Sequence, residues 1–267
     1  MIDTTPFIAA GAVKLAQHDP ADVATWQKAD AKAALKPLQD ELQGLQERLY
    51  AQGQQALLIV LQAMDAGGKD STIRRVFEGV NPQGVRVSSF KRPTAEELSH
   101  DFLWRIHRRV PPKGYIGIFN RSHYEDVLIA RVNQLAPPAV IEARYDHINH
   151  FEHLLTTSGT RILKFYLHIS KDEQKARFQK RLDRPDKHWK FSLGDLPVRQ
   201  QWDQYMHAFE IALTRCHTPA APWYIVPANR KWYRDLIVIS TIVQTLRTMN
   251  PQFPPPEDNL QNVTIPD

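Results

Sequence analysis

Residues 56–80 read "ALLIVLQAMDAGGKDSTIRRVFEGV". The first eight form a short unbroken apolar run, the pattern of a strand buried on both faces. "TIRRVFEGV" (72–80) reads as a helix. Between them "MDAGGKDS" (64–71) is either a tight turn or a cradle for phosphate. Gly67 and Gly68 lack a Cβ, so the backbone there can curl and approach phosphate oxygens. Successive N–H groups, from Ala66 onward, then point inward, and the helix N-terminus adds positive potential. Lys69 supplies a mobile charge able to bridge phosphate oxygens. The strict phosphate-loop pattern is not met in full: Ala63 stands where the first glycine belongs. Asp70 follows the lysine and displaces the expected hydroxyl to Ser71. Asp65 offers a hard oxygen ligand that suits Mg²⁺. The alternative is a glycine-rich turn capped by Asp70 and Ser71; the strand–loop–helix context favours phosphate.

Outward from this stretch the pattern repeats. "VRVSSF" (85–90), "YIGIFN" (115–120), "ILKFYLHIS" (162–170) and "WYIVP" (223–227) read as further buried strands. Leu35, Leu38, Leu42, Leu45 and Leu49 form one helix stripe, with Pro37 in its first turn and Gly53 as its stop. Thr94 and Glu97 make a capping box before a helix "LSHDFLWRIHRRV". Residues 139–157, 172–183, 197–215 and 231–249 also read as helices. Strands alternating with helices predict an α/β fold, a central parallel sheet of about five strands covered on both faces. Residues 1–34 are expected as an arm, 35–250 as the main domain and 251–267 as an extended Pro-rich tail.

The chain has 267 residues, 42% hydrophobic, with a net charge of +5. That excess favours anionic partners. A single cysteine, Cys216, rules out an internal disulfide framework and fits a reducing compartment. No stretch reaches membrane-spanning length, and the start lacks a signal-peptide layout, so a cytoplasmic protein with no membrane partner is expected.

A second cluster lies in "GYIGIFNRSHYEDV" (114–127), where a strand ends in polar residues at the carboxyl edge of the sheet. Arg121 can reach a phosphate with its fork of donors. Glu125 can bind a metal directly or through water, or hold the acceptor. Ser122 as an N-cap, with Glu125 completing a capping box, is the competing structural reading. In "SSFKRPT", Lys91 and Arg92 precede Pro93; they either take the acceptor's phosphate or are solvated charge. "KDEQKARFQKRLDRPDKHWKFSLGDLP" (171–197) carries Lys175, Arg177, Lys180, Arg181, Arg184, Lys187 and Lys190. It reads as a basic lid, about 175–197, closing over phosphates, with Arg74 extending the same track. A stretch this dense also suits a long polyanion. His147, His150 and His153 read as a polar helix face, and Trp202, Tyr205 and Phe209 as core.

In combination "MDAGGKDS", "FKRPT", "FNRSHYEDV" and "KRLDRPDKHWKFS" resemble the polyphosphate kinase 2 family, over about residues 35–250. The resemblance implies a P-loop kinase core of three α/β/α layers, similar to thymidylate kinases, with a helical lid. It implies phosphoryl transfer from inorganic polyphosphate to an adenine or guanine nucleotide, with Mg²⁺ or Mn²⁺ held by Asp65; Glu125, a second metal ligand on the reading of its own position above, stands where subgroups of the family differ. Lys69 and Asp70 match the loop residues at the transferred phosphate, and Arg121 matches the arginine after the third strand. Ala66, Gly67, Gly68, Ser71, Arg74, Lys180, Arg181 and Arg184 would bind phosphate, and Lys91, Arg92 and Asn120 the acceptor nucleotide. Some relatives carry Asp at the place of Asn120, so it is assigned no catalytic charge. "NRSHYED" is similar to the subgroup acting on nucleoside mono- and diphosphates, and a homo-oligomer is expected. Two rivals remain: an ATP-dependent nucleoside monophosphate kinase on the same core, and a basic nucleic-acid-binding protein. Against the latter, no motif for base readout is present.

Overall fold

A computed structural model describes residues 1–256 and 263–265. In chain order the elements are α1 (Lys28–Gln52), β1 (Ala56–Gln62), α2 (Lys69–Val76), β2 (Val85–Ser89), α3 (Ala95–Leu98) and α4 (Trp104–His107). They continue with β3 (Ile116–Asn120), α5 (Ile129–Val132), α6 (Pro138–Thr157), β4 (Thr160–His168) and α7 (Lys171–Leu182). The last are α8 (Asp195–Gln200), α9 (Trp202–Arg215), β5 (Trp223–Pro227) and α10 (Lys231–Met249). The five strands form one parallel sheet in the order β2-β3-β1-β4-β5. Helices cover both faces, as the alternation of runs predicts.

The central strands are the apolar ones. β1 and β5 are buried throughout, and β4 is buried except at Arg161. β2 departs from the expectation of a strand buried on both faces: Arg86, Val87 and Ser89 are exposed, because β2 forms the sheet edge. The run from Tyr233 to Val243 on α10 is buried residue by residue. A helix apolar all round belongs in an interior. Here α10 lies against α1 and the sheet, and Arg247 adds an ion pair to Glu41 at 2.5 and 2.8 Å.

Three local expectations are corrected. Pro37 sits inside α1, not in its first turn, because the helix starts at Lys28. The buried face extends upstream to Ala31, so packing outweighs the lost hydrogen bond. The segment after Thr94 forms two short helices instead of one; the Thr94–Glu97 capping box is present, but Asp101 then accepts from the Leu103 N–H at 2.9 Å and restarts the chain. The helix expected over 197–215 is broken at Gln201 into α8 and α9.

Within residues 1–27 the Ala9 N–H donates to the Trp223 carbonyl of β5 at 2.8 Å, and the Val13 and Leu15 N–H groups donate to Thr214 and Glu210 of α9 at 3.0 and 2.8 Å. Residues 251–256 carry no regular structure; 257–262, 266 and 267 of the expected tail lie outside the described residues. Among the described residues no helix is long and apolar enough to cross a membrane.

Register decides what the sheet presents. Leu61 pairs with Asn120, and Asn120 with Ser89, so the loops leaving β1, β3 and β2 emerge side by side at the carboxyl edge. From β1 the connections run first to β2 and β3 on one side and then to β4 and β5 on the other, and this switch opens the crevice where ligands bind in open α/β sheets.

Candidate active site

The loop between β1 and α2 curls through two left-handed residues, Ala66 at φ +59° and Gly68 at φ +109°. Gly67 is a close approach: a Cβ there would fall 2.4 Å from the Ala63 Cβ and 2.8 Å from the Met64 carbonyl oxygen. Among the described residues, the N–H groups of Ala66, Gly68, Lys69 and Asp70 take no protein partner. Four free donors at a helix start make an anion cradle. Lys69 spans its mouth, its Nζ donating to the Ala63 carbonyl at 3.0 Å. Loss of hydration, aided by Arg121, lowers its pKa to about 8, against the pull of Asp65, Glu125 and Asp70.

The capped-turn alternative is not what holds this loop. Ser71 Oγ donates to the Gly68 carbonyl at 2.8 Å, while Asp70 accepts from Asn120 Nδ2 at 2.5 Å and caps nothing. The support comes from α7. Gln174 donates to the Asp65 carbonyl at 2.9 Å. Arg177 Nη1 donates to the carbonyls of Ala66 and Gly67 at 2.9 and 3.0 Å, and its Nη2 to Ala228 at 2.5 Å. Arg177, expected among the lid cations, is therefore a brace behind the loop.

On one side of the loop a small cavity of about 60 Å³ is lined by Asp65, Arg121, Glu125, Leu128, Tyr205 and Phe209. Arg121 Nη2 donates to Asp65 Oδ1 at 2.7 Å, and its Nη1 lies 3.7 Å from Glu125 Oε2. Glu125 does not complete a capping box: Ser122 Oγ accepts from the Tyr124 N–H at 3.2 Å, and Glu125 faces the cavity instead. Arg121 holds φ +64°, which for a side chain of its size costs about 1–3 kcal/mol. The strain is held from below. His123 and Tyr124 turn into the core, where both reach Glu152 Oε1, at 3.2 and 2.8 Å. Lys164 Nζ donates to Glu152 Oε2 at 2.5 Å and to the Tyr124 hydroxyl at 2.9 Å. Alternate residues of one turn thus serve opposite sides, Arg121 and Glu125 the cavity, His123 and Tyr124 the core.

Asp65 and Glu125 present hard oxygens to one cavity and already converge on one cation, the Arg121 guanidinium. Two carboxylates, with water and substrate phosphate to complete the shell, fit Mg²⁺ or Mn²⁺. Tyr205, expected as core, is buried and also lines this cavity; its hydroxyl is buried without a hydrogen-bond partner among the described residues. Desolvation pushes that hydroxyl up to about 12.

On the other side of α2 lies a larger, basic groove. One part, about 530 Å³, is lined by Lys32, Ser71, Arg74, Lys231 and Arg234. An adjoining part, about 620 Å³, adds Lys28, Arg177, Lys180 and Arg230 and shares Lys231 and Trp232. The structure thus brings Arg74, Ser71 and Lys180 together. Arg181 and Arg184 are held within the lid instead, Arg181 on the Lys190 carbonyl at 2.8 Å and Arg184 on Asp186 at 3.0 and 3.1 Å. Lys91 and Arg92 are exposed beyond β2 and line neither the cavity nor the groove. His147, His150 and His153 are exposed on α6. Sequence reasoning missed Lys28, Lys32, Lys231 and Arg234. The run "RKWYR" (230–234), just past the end of a strand, was the available signal.

Comparison with known proteins agrees with this geometry. The family model for polyphosphate kinase 2 matches residues 25–254. The AMP/ADP-polyphosphate phosphotransferase of Meiothermus ruber is 53% identical over 257 residues, covering 96% of each chain. The ADP-polyphosphate phosphotransferase of Rhodopseudomonas palustris is 48% identical over 227 residues, 80% of this chain and 78% of the relative. The crystal structure of polyphosphate kinase 2 from Arthrobacter aurescens superposes with a TM-score of 0.93 at 45% identity, covering 96% of this chain and 93% of that one. With the free-donor loop, the paired carboxylates and the basic groove all in place, the chain belongs to the polyphosphate kinase 2 family.

Proposed function

We propose that this chain is a polyphosphate-dependent nucleotide kinase, transferring a phosphoryl group from inorganic polyphosphate to AMP or ADP. The observation that carries the reading is the position of the loop. Its free N–H groups and Lys69 stand between a small carboxylate-lined cavity and a basic groove in which Lys28, Lys32, Arg74, Lys180 and Lys231 form no salt bridge among the described residues. The first, about 60 Å³, has room for the acceptor's reacting phosphate or a metal ion beside Arg121 but not for a sugar; a repeating anhydride chain with no sequence to read suits the second.

Phosphoryl transfer asks the protein for in-line positioning and for neutralisation of charge spread over the moving group. The loop N–H groups and Lys69 hold the terminal phosphate of the donor. Arg121 reaches it from the acceptor side. The acceptor's ionised phosphate oxygen forms the new P–O bond as the bond to the bridging oxygen breaks, and the polyphosphate, one unit shorter, leaves with that oxygen as its new terminal phosphate oxygen. No side chain needs to remove a proton, so no poised base is required. Asp65 and Glu125 would hold Mg²⁺ or Mn²⁺, which supplies charge neutralisation on the phosphate oxygens. Lys28, Lys32, Arg74, Lys180 and Lys231 keep the remainder of the chain in the groove.

The test is ADP with polyphosphate and no ATP. ATP formation supports the reading; its absence, with AMP phosphorylated only when ATP is the donor, would favour a nucleoside monophosphate kinase on the same core.

A further inference from the structure

Arg234 lies in the first turn of α10 and is 1% exposed. Asp235 Oδ1 accepts from both its Nε, at 2.9 Å, and its Nη2, at 2.6 Å. One carboxylate oxygen therefore fixes the plane of the guanidinium. The third nitrogen, Nη1, is buried and has no partner among the described residues. It is aimed at the start of α2: a Cβ on Gly68 would lie 2.0 Å from it and 3.4 Å from Ser71 Oγ.

This is an odd place for a cation. The N-terminus of α2 already carries positive potential, and its free N–H groups are donors like Nη1 itself. Donors facing donors, out of water, repel unless something that accepts lies between them. Asp235 cannot serve, since it is already engaged on the far edge of the same guanidinium. Arg74, Lys231 and Arg234 line the same end of the groove, so the arriving group is anionic.

We propose that Arg234 is a phosphate-binding residue for the donor chain. Its Nη1 donates to an oxygen of the phosphate seated on the loop, from the groove side and opposite Arg121. Position 68 is glycine partly because any side chain would occupy the space this nitrogen needs. Asp235 is the positioning residue that presents the guanidinium. The inference rests on polyphosphate being the donor.

The experiment compares Arg234→Met and Arg234→Lys with the unmodified chain. Initial rates of ATP formation are measured against polyphosphate and against ADP separately, together with calorimetric binding of tripolyphosphate without nucleotide. Arg234→Met should lower kcat/KM for polyphosphate by about 100-fold or more, the range seen when one preorganised donor to a developing charge is removed. KM for ADP should stay within about twofold of the unmodified value. Arg234→Lys keeps the charge but loses the fork, and should recover part of the loss. Tripolyphosphate affinity should fall in the same order. Equal losses on both substrates together with a lowered Tm would assign Arg234 a packing role and overturn the proposal. So would unchanged kinetics for polyphosphate in Arg234→Met. If the unmodified chain makes no ATP, the donor assignment fails; the tripolyphosphate measurement still decides whether Arg234 binds phosphate.

Discussion

The depressed pKa of Lys69 sets an alkaline limit on phosphate capture. With a pKa of about 8 in the free protein, the ammonium form dominates below that value and is lost above it. About nine-tenths is protonated at pH 7 and about one-tenth at pH 9, so kcat/KM for polyphosphate should fall roughly tenfold across that interval. Desolvation leads the shift, and Asp65, Glu125 and Asp70 oppose it. Removing one of those charges, as in Glu125→Gln, should move the limb to lower pH. A bound phosphate raises the pKa again, so the limb in kcat should lie at higher pH than the limb in kcat/KM. The assay is ATP formation from ADP at polyphosphate concentrations below KM, over pH 6.5–9.5, on a chosen scale of roughly half-unit steps. Calorimetric tripolyphosphate binding over the same range gives a reading that does not require turnover. Lys69→Met should bind weakly and without pH dependence through the limb. A profile for the unmodified chain that stays flat to pH 9.5, or a limb that persists in Lys69→Met, would refute the assignment.

Arg177→Met removes charge-assisted bonds to the carbonyls of Ala66, Gly67 and Ala228. It should cost about 3 kcal/mol, at roughly 1.5–3 kcal/mol per such bond with partial compensation by water, and lower kcat at least tenfold; unchanged kcat would show the loop stands without its brace. Lys164→Met leaves Glu152 buried without its closest cation, now at 2.5 Å. A loss of about 3–5 kcal/mol is expected, or roughly 10 °C in Tm, and a differential-scanning trace within 2 °C of the unmodified chain would contradict it. Lys32→Ala combined with Lys231→Ala should raise KM for polyphosphate and flatten its salt dependence while sparing KM for ADP; an effect on ADP alone would put the nucleotide in the groove.

The sheet was legible because its central strands are continuous apolar runs, and the helices because their stripes recur at three and four. The loop was legible for a related reason: Gly67 and Gly68, Lys69 and the flanking strand and helix lie within one short stretch. What was not legible depends on distant parts of the chain. The groove takes Lys28 and Lys32 from α1 and Lys231 and Arg234 from α10, about two hundred residues later, and no local pattern joins them. Arg177 looked like one cation in a basic run; only the fold shows that its side chain turns to the loop carbonyls. Lys164, in an apolar run, gave a hint of a buried partner but not that Glu152 and Tyr124 would be that partner. Asp101 and Gln201 mark breaks that helical periodicity cannot register, because apolar spacing continues across them.

A phosphorus NMR time course with polyphosphate, AMP and Mg²⁺, and no ATP, tests most directly that the loop moves phosphoryl groups from an anhydride chain to a nucleotide. The expected record is loss of AMP with growth of ADP and then ATP, matched by shortening of the polyphosphate, and none of these changes with Lys69→Ala. Polyphosphate consumed only to free phosphate, with AMP untouched, or a Lys69→Ala record that follows the unmodified chain, would contradict the account.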